Sequence, residues 1–323
     1  MAAELTSNTA SWPAEYRPHA LTFRERRQCI LCGGGKLRSL WSGQFGDEPV
    51  MSWLQAFRYE VEVDDVLARE WFHRVRCLDC GITFHRFVLD EAGAAALYGE
   101  WISRAQIDAF ESVHRGSTPA AVFEGGVQAM KHLLRLARLC DNRSRTRPVA
   151  LLDFGSGDGR FVAAARLLGF EANGVDPSPT RQGQAERGGL SLLDSLAVWD
   201  GLGREPLDAV TLFEVLEHVA EPLDLLVDLG RRLRPGGVLI VEVPDCRGIA
   251  AAPRTLEEFH RVQPLEHPNH FTPATLRAMC RRAGYLPIAK PPAHVTTAPL
   301  AILRTEVSRV VRPSTTSQYF VRA

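Results

Sequence analysis

A glycine-rich turn between a buried strand and a helix is the feature of this sequence that most limits what the chain can fold into. Residues 149–154 are Val-Ala-Leu-Leu-Asp-Phe, a run typical of a buried strand, and an alanine-rich helical pattern begins at Arg160. Between them stand three glycines at alternate positions, Gly155, Gly157 and Gly159. Glycines spaced in this way let the backbone turn sharply and approach a ligand closely, with the amides of the first helical turn facing that ligand. The turn therefore predicts a binding site for a nucleotide-like molecule.

An acidic residue at the end of the next strand makes this prediction more specific. That strand ends at Asp176-Pro177, where a carboxylate can accept hydrogen bonds from both ribose hydroxyls of a nucleotide. A nicotinamide or flavin site would require the spacing Gly-x-Gly-x-x-Gly, whereas this turn reads Gly-x-Gly-x-Gly. A glycine turn that serves only packing, and a nicotinamide or flavin site, are the alternatives to this interpretation.

The alternation of strands and helices after Val149 predicts an α/β fold with a doubly wound, mostly parallel sheet, because helices then cover both faces of the sheet. The predicted strands are 149–154, 171–176, 190–193, 208–213 and 237–243, and the predicted helices are 158–168, 178–187, 220–233 and 272–283. We expect three regions, which are an N-terminal arm and β-rich module (1–89), a helical linker or cap (90–147) and the α/β domain (148–323). The carboxyl ends of the parallel strands should meet at one edge and form the ligand crevice.

The pattern Asp153-x-Gly-x-Gly-x-Gly closely resembles the first motif of class I S-adenosylmethionine (SAM)-dependent methyltransferases. Two later segments resemble the same family: Leu216-Glu217-His218 after the predicted fourth strand, and Leu233-Arg-Pro-Gly-Gly leading into the fifth. The resemblance covers about residues 149–245. It implies a Rossmann-like fold, SAM as the methyl donor and S-adenosylhomocysteine as the product.

The same resemblance implies a cofactor site made of particular residues. Asp153 would hold the amino group of the methionine part of SAM, directly or through water. Phe213 and Glu214 would line that methionine end, and Asp194 or Ser195 would lie near the adenine. The full predicted cofactor site consists of Asp153, Gly155, Ser156, Gly157, Gly159, Asp176, Pro177, Asp194, Ser195, Phe213 and Glu214.

A histidine-rich segment follows the fifth strand, where folds of this kind usually place the acceptor site. Its His267 and His270 are candidate general bases because histidine titrates near neutral pH, and His270 ranks first since it lies directly before a helix start at Thr272-Pro273. His218 is a third candidate, while Glu217 beside it is expected to be structural. The alternative role of His267 and His270 is to tie the loop to the sheet by hydrogen bonds, and that of His218 is to cap or pack against the helix that follows it. A histidine metal site has little support, because no accompanying carboxylate has helical spacing.

Two Cys-x-x-Cys-Gly segments indicate a metal site in the N-terminal module. In such a knuckle two thiolates bind one tetrahedral Zn²⁺ and the glycine relieves the turn. The predicted zinc ligands are Cys29, Cys32, Cys77 and Cys80, and the metal should serve folding, since structural zinc stabilises small domains with marginal cores. Disulfides, a redox-active dithiol and free core thiols are the alternatives. Between the knuckles, the alternating run from Tyr59 to Val63 predicts a strand.

A four-cysteine module before a class I methyltransferase domain resembles the sugar C-methyltransferases that act on nucleotide-linked keto-deoxysugars, and related bacterial small-molecule methyltransferases. This resemblance implies a small-molecule acceptor, with a sugar or sugar-containing metabolite, including a nucleotide-linked sugar, as the first choice. The sugar enzymes usually carry a His-Glu-His-type segment with a nearby tyrosine, whereas residues 265–271 read Leu-Glu-His-Pro-Asn-His-Phe. O-methylation and C-methylation therefore both stay open. The alternatives are a phenolic or quinone-type O-methyltransferase, a protein methyltransferase, and a non-catalytic binding protein that keeps the fold.

The charge balance and the absence of long apolar runs limit the expected partners. Lys and Arg total 38, and so do Asp and Glu, so no net positive charge favours a nucleic acid or an acidic membrane surface. The sequence has no stretch that approaches the roughly 18 consecutive apolar residues of a membrane-spanning helix. We therefore expect a soluble cytoplasmic protein without a nucleic-acid or membrane partner.

Overall fold

A six-stranded sheet and a four-stranded sheet, with helices packed against them, organise the chain. The computed structural model describes residues 21–57, 59, 63–102, 119–140, 147–203, 205–300, 302–303, 307 and 315–323. The strands are β1 Phe23–Glu25, β2 Leu37–Gln44, β3 Trp71–Cys77, β4 Thr83–His85, β5 Phe87–Leu89, β6 Ala150–Phe154, β7 Glu171–Val175, β8 Leu207–Phe213, β9 Leu233–Glu242, β10 Asn269–His270, β11 Tyr285–Ile288 and β12 Ser317–Arg322. The helices are α1 Val50–Gln55, α2 Val63–Leu67, α3 Glu91–Ala96, the π-helix Leu97–Trp101, α4 Pro119–Cys140, α5 Arg160–Leu167, α6 Pro179–Arg187, α7 Leu196–Gly201, α8 Pro222–Arg232, α9 Leu256–Val262 and α10 Pro273–Arg282.

The six-stranded sheet has the strand order β11-β12-β9-β8-β6-β7. Strands β7, β6, β8 and β9 run parallel, and β12 is antiparallel to both of its neighbours. The prediction of a mostly parallel sheet is therefore confirmed. The parallel strands end in register, since Phe154 pairs with Val175 and Phe213 pairs with Glu242. The loops that follow these strands consequently meet at one edge of the sheet.

Helices cover both faces of this sheet, as a doubly wound fold requires. Consecutive residues of a strand point to opposite faces, and Leu151 and Leu152 accordingly enter different apolar clusters. Leu151 packs with Leu136 of α4 and Val162 of α5 on one face. On the other face, Leu152 belongs to the cluster that contains Leu226 of α8 and residues of α10. Burial of these apolar side chains is what holds the sheet between its two helical layers.

Helix starts follow the capping residues that the sequence displays. At α10, the Thr272 side chain accepts a hydrogen bond from the Thr275 amide, and Pro273 occupies the first turn, so the predicted start is confirmed. Pro179 likewise follows the N-cap residue Ser178 at α6. Among the described residues no helix, including the 22-residue α4, is both long and apolar enough to span a membrane.

The four-stranded sheet joins the N-terminal module to the C-terminal half of the chain. Its order is β10-β4-β3-β2, and β10 pairs through Asn269 with Phe84 and through His270 with Thr83. The apolar cluster that contains Cys29 and Phe84 also contains residues of the six-stranded sheet. The cysteine module is therefore packed continuously with the α/β domain.

Two predicted strands differ in the structure. Residues 190–193 contribute only an isolated bridge between Leu193 and Val175, because the chain turns away at once to begin α7, which Ser195 caps. Val63 begins the helix α2 instead of ending a strand, while residues 60–62 lie outside the described part of the chain. Val63 and Leu67 are both buried in one apolar cluster, and this four-residue spacing places them on the same face of a helix.

Candidate functional site

The glycine turn after β6 combines two glycines needed for packing with one that faces open space. Gly155, Gly157 and Gly159 all have positive φ angles, of 72°, 57° and 77°, a region that L-residues rarely adopt. A Cβ atom on Gly155 would lie 2.5 Å from the Val215 side chain, and one on Gly159 would lie 2.2 Å from the Leu190 side chain. A Cβ atom on Gly157 would meet nothing within 4 Å. A ligand can therefore approach the backbone most closely at Gly157.

Asp176 ties the end of the neighbouring strand to this turn. One of its carboxylate oxygens accepts a hydrogen bond from the Gly157 amide at 2.8 Å, and the other accepts one from the Ser178 amide at 3.0 Å. The side chain is only 8% exposed, and burial raises its pKa. Each carboxylate oxygen has a second lone pair, so Asp176 can still accept hydrogen bonds from a ligand.

Asp153 lies one strand away and is 3% exposed. The Thr211 hydroxyl donates to its carboxylate at 2.6 Å. Burial and the negative charge of Asp176 together raise the pKa of Asp153 to about 7. Two buried carboxylates at neighbouring strand tips create a negative potential that a cationic ligand group would neutralise.

Ser156, Asp194, Ser195 and Pro177 surround these aspartates. Ser156 is buried, and its hydroxyl has no hydrogen-bond partner within the described structure. The exposed Asp194 follows the bridge at Leu193, whose carbonyl accepts from the Asp176 amide at 2.9 Å. Ser195 donates to the Asp194 carboxylate at 2.9 Å and caps α7, while Pro177 is exposed before α6.

Phe213 and Glu214 stand at the tip of β8, beside the same edge. The Phe213 ring lies 4.7 Å from the His132 ring, measured between centroids. Glu214 has a φ angle of 54°, which is uncommon for a residue with a Cβ atom, and its amide donates to the Glu242 carbonyl at 2.8 Å. Strained backbone of this kind tends to occur at functional sites. The residues predicted to bind the cofactor therefore lie at or just after the carboxyl ends of β6, β7 and β8, or after the bridge at Leu193.

The three histidines predicted as bases occupy different environments. His270 is 1% exposed, its Nε2 bonds to the His267 carbonyl at 2.9 Å, and Arg74 Nε donates to its Nδ1 at 3.3 Å. Burial holds its pKa well below the usual histidine value. His270 is thus enclosed within the four-stranded sheet, and the expectation that it leads as the base is not supported by this position. His267 is also buried, with its ring 4.6 Å from that of His218, which is partly exposed.

A cavity of about 360 Å³ lies beside His218, at the junction between the N-terminal module and the α/β domain. The residues that line it are Arg24, Val88, Leu89, Asp90, Glu91, Ala94, Tyr98, His218, Ala220, Leu265 and Pro268. The Tyr98 hydroxyl, which the π-helix carries, is 3.1 Å from His218 Nδ1. No motif in the sequence signals Tyr98, because residues 98 and 218 meet only through the fold.

Glu217 is a second residue whose position the sequence did not reveal. It is 1% exposed, and its carboxyl group lies within hydrogen-bonding reach of the Glu214 carboxyl group. His218 Nε2 lies 4.0 Å from Glu217 Oε1. Burial, followed by the charge of Glu214, raises the pKa of Glu217 well above its ordinary value. Glu217 was expected to be structural, and the structure buries its carboxyl group beside that of Glu214 and the ring of His218.

The four predicted zinc ligands form one cluster. Their sulfur atoms all lie within 4.8 Å of one another, with 3.5 Å between Cys29 and Cys80 and 3.5 Å between Cys32 and Cys77. None of the four forms a disulfide. Zinc–sulfur bonds are about 2.3 Å long, so tetrahedral thiolates lie about 3.8 Å apart. Backbone amides also donate to the sulfurs, for example Leu31 to Cys29 at 3.3 Å. The donor set and its spacing fit Zn²⁺.

Comparison with known proteins places this chain beside methyl-transferring enzymes. A family model described as "Methyltransferase domain" matches residues 128–289. The ubiquinone biosynthesis O-methyltransferase of Caulobacter sp. (strain K31) is 34% identical over 116 residues, 34% of this chain and 46% of that protein. The protein of the same name from Methylocella silvestris is 30% identical over 139 residues, 40% of this chain and 51% of that protein. The chain thus spans about half the length of these curated relatives.

Solved structures that this chain matches include the plantazolicin methyltransferase BamL in complex with a triazolic desmethylPZN analog and SAH. That structure has a TM-score of 0.47 and 14% sequence identity, and the match covers 71% of this chain and 94% of that chain. A SAM-dependent methyltransferase from Archaeoglobus fulgidus matches 63% of this chain and 98% of its own, with a TM-score of 0.38 and 18% identity.

Proposed function

This chain belongs to the methyltransferase-domain family, and on that premise we propose that it transfers the methyl group of SAM to a hydroxyl oxygen of a small-molecule acceptor. One observation carries the proposal: two buried aspartates at neighbouring strand tips, Asp153 and Asp176, flank a glycine turn whose middle residue faces open space. This arrangement suits a ligand that carries both an ammonium group and a ribose.

SAM would lie along the edge formed by the parallel strands. Asp153 would bind the ammonium group of SAM, and Asp176 would bind its ribose hydroxyls. The open space at Gly157 would let SAM approach the backbone closely. The unpartnered Ser156 hydroxyl is suited to the carboxylate of the methionine part. Phe213 and Glu214 would line the methionine end, while Asp194, Ser195 and Pro177 would border the adenine.

The acceptor would occupy the cavity beside His218. Its lining is mainly apolar, with Val88, Leu265 and Pro268 among the wall residues, and the acidic residues Asp90 and Glu91 also line it. Its one described arginine, Arg24, already forms an ion pair with Glu221. A diphosphate would gain little from such a wall, since charged groups need partners when they are buried. The cavity therefore favours a largely apolar hydroxylated acceptor over a nucleotide-linked sugar, in line with the names of the curated relatives.

Methyl transfer needs alignment above all. The acceptor oxygen forms a bond to the methyl carbon as the carbon–sulfur bond breaks, the electron pair stays on sulfur, and the hydroxyl proton leaves. Holding the two reactants together can contribute about 7–11 kcal/mol, and removing the proton can add roughly 10²–10⁴-fold in rate. His218 lines the cavity and is the predicted base that can reach an acceptor there.

The four cysteines would hold one Zn²⁺ that stabilises the fold. Strand β3 ends at Cys77, and β4 follows Cys80, so the metal would anchor the hairpin that β10 joins. Zinc at this position would stabilise the part of the fold that lines the acceptor cavity and would take no part in the chemistry.

Calorimetric titration with SAM tests the proposal. We expect one SAM per chain, and at least a tenfold weaker affinity for Asp176→Ala, because the ribose hydroxyls lose their acceptor. Asp158→Ala is a matched control, since Asp158 lies in the same turn but pairs with the exposed Arg160, and it should bind SAM normally. Absence of heat with the wild type would favour the non-catalytic binding protein.

An activity screen then tests the acceptor class. Radiolabelled methyl transfer from SAM should be detectable with catechol-type or other phenolic acceptors. Transfer to a nucleotide-linked keto-sugar, with none to phenols, would reverse the preference that we derive from the cavity wall.

A further inference from the structure

We propose that the Glu242 carboxylate, at the carboxyl end of β9, faces the sulfonium group of SAM and makes the protein favour this charged donor over its neutral product, S-adenosylhomocysteine. The inference rests on the proposed function, because SAM must lie along the strand edge for Glu242 to reach it. The two molecules differ only at the sulfur, which carries a methyl group and a positive charge in SAM. A carboxylate beside that sulfur therefore attracts SAM and not the product.

Asp153, Phe213 and Glu242 form a row along one face of the sheet at the strand ends. Phe213 and Glu242 are direct partners in the β8–β9 ladder. Leu151 and Ile240 pack in the apolar cluster on the α4 face, and each stands two residues before one of the two acidic residues. Side chains two residues apart in a strand point to the same face. Phe213 packs against the same cluster, so all three side chains lie on the α4 side of the edge.

The spacing of this row suits the methionine part of SAM. Neighbouring strands lie about 4.8 Å apart, close to the length of the three-carbon chain that joins the ammonium nitrogen of SAM to its sulfur. With the ammonium group at Asp153 on β6, the sulfur would lie one strand further along, at Phe213 on β8. Glu242 comes next, because β9 follows β8 in the strand order. An aromatic ring and a carboxylate both attract a cation.

Hydrogen bonds hold the Glu242 carboxylate in its charged form. Its Oε2 lies 3.2 Å from Nε2 of His132, and Nδ1 of His132 lies 2.6 Å from the Tyr319 hydroxyl. The Tyr319 hydroxyl can donate to Nδ1, which leaves the proton on Nε2 for Glu242. Burial acts to raise the pKa of Glu242, but the hydrogen bonds with His132 and Ser317 and the charge of Lys290 outweigh it and lower the pKa to about 2. Glu242 is therefore ionised at neutral pH.

Glu242 is also the one of these three linked side chains that a ligand at the strand edge can reach. Its side chain is 27% exposed, whereas that of His132 is 2% exposed and Tyr319 is 1% exposed. A partly buried charge is screened less by solvent and salt than a fully exposed one. Its attraction for a cation beside it is correspondingly stronger.

The expected consequence concerns binding and not the rate of the chemical step. The positive charge leaves the sulfur as the methyl group is transferred, so the attraction to Glu242 is strongest before the reaction. An interaction that is stronger in the ground state than in the transition state does not raise kcat. Glu242 would instead help the protein to bind fresh donor in the presence of product, because the neutral thioether no longer pairs with the carboxylate.

Calorimetric titration of Glu242→Gln with SAM and, separately, with S-adenosylhomocysteine tests the proposal. Glutamine keeps the shape of the side chain and an oxygen that can accept from His132, but it removes the charge. We expect the Kd for SAM to rise roughly fivefold, as for an ion pair that solvent partly screens, while the Kd for S-adenosylhomocysteine stays nearly unchanged. The ratio of the two Kd values is the decisive quantity, because a fraction of unfolded protein affects both titrations equally.

Two further variants separate the charge of Glu242 from its structural contacts. Asp245→Asn is the matched control, since it removes the same charge from a side chain that is 28% exposed, three residues further on and paired with Arg247. It should leave the ratio of the two Kd values unchanged. Glu242→Asp keeps the charge and should shift the ratio less than Glu242→Gln does, whereas a defect in the packing of α4 would weaken both ligands in both variants.

The outcomes distinguish this inference from the proposed function. An unchanged ratio in Glu242→Gln, or an equal change in Asp245→Asn, would overturn the role of Glu242 and leave SAM binding intact. A wild-type protein that binds neither SAM nor S-adenosylhomocysteine would refute the proposed function itself.

Discussion

The glycine turn and the cavity wall are assembled in different ways. The turn draws most of its residues from 153–159, and three amides connect it to the next strand: those of Gly155 and Ser156 donate to the Val175 carbonyl, and that of Gly157 donates to Asp176. The cavity wall instead joins Tyr98, Glu217-His218 and His267, which come from three distant segments. The proposed cofactor site is thus formed mainly by residues close together in the sequence. The proposed acceptor cavity depends on contacts between the N-terminal module and the α/β domain. Substitutions in the two regions should therefore separate cofactor binding from methyl transfer.

Loss of the metal at the cysteine cluster should lower the stability of the protein more than any other change. The destabilisation should affect the acceptor cavity before the cofactor site. Cys77→Ser removes one of the four ligands, and a structural zinc can contribute on the order of 10 kcal/mol to folding. We expect elemental analysis to show a loss of zinc, and differential scanning calorimetry to show a strongly lowered Tm. Cys140→Ser, at a buried cysteine outside the cluster, should keep its metal and most of its stability. Equal zinc content in both variants would contradict the predicted site.

Loss of the Asn269 side chain, which donates to the Leu216 and Val219 carbonyls and accepts from Arg26, should separate cofactor binding from methyl transfer most clearly. Asn269→Ala leaves two carbonyls and the Arg26 guanidinium without their partner, at about 1 kcal/mol or more for each hydrogen bond. We expect destabilisation of about 3 kcal/mol in urea unfolding. Methyl transfer should fall at least tenfold, while the Kd for SAM stays within about twofold. A parallel loss of SAM affinity would show that the two sides are not independent.

Alanine at two glycines of the turn should distinguish packing from ligand approach. Gly155→Ala places a Cβ atom 2.5 Å from Val215 at a φ of 72°, so we expect destabilisation of about 2–3 kcal/mol. Gly157→Ala meets no neighbour and should cost only about 1 kcal/mol, yet it should weaken SAM binding more than its stability loss explains. Unfolding curves and SAM titrations of both variants measure the difference. Equal effects of the two variants on SAM affinity would contradict this distinction.

The pH dependence of SAM binding should report on Asp153. Its pKa is raised to about 7, so below pH 7 the group is protonated and must lose that proton before it can bind the ammonium group. The Kd for SAM should therefore rise about tenfold per pH unit between pH 7 and pH 5, equal to about 1.4 kcal/mol per unit, and should rise again above about pH 8, where the α-ammonium group of SAM itself loses its proton. Asp153→Asn should bind weakly with little pH dependence between pH 7 and pH 5. A flat profile in the wild type would remove Asp153 from the ammonium site.

The sequence predicted the parallel strands and the N-cap of α10 because these depend on local patterns of burial and capping. Predictions from the sequence differed from the structure where contacts with neighbouring elements decide the conformation or the burial of a residue. Residues 190–193 form only a bridge because Ser195 starts a helix immediately after them. His270 lies in a favourable local pattern before Thr272, yet it became part of the four-stranded sheet. Its burial follows from pairing with β4, which no local pattern reveals.

The amino-acid sequence by itself determined the cofactor side, since a strand, three glycines and two strand-end aspartates act over short distances along the chain. It also determined the two cysteine knuckles. Only the tertiary structure brought the knuckles into one cluster and placed Tyr98 and Glu217 beside the histidines. The reason is physical: the hydrogen bonds of Asn269 and the burial of the module against the α/β domain join residues far apart in the chain, and such contacts form only once the whole core has packed.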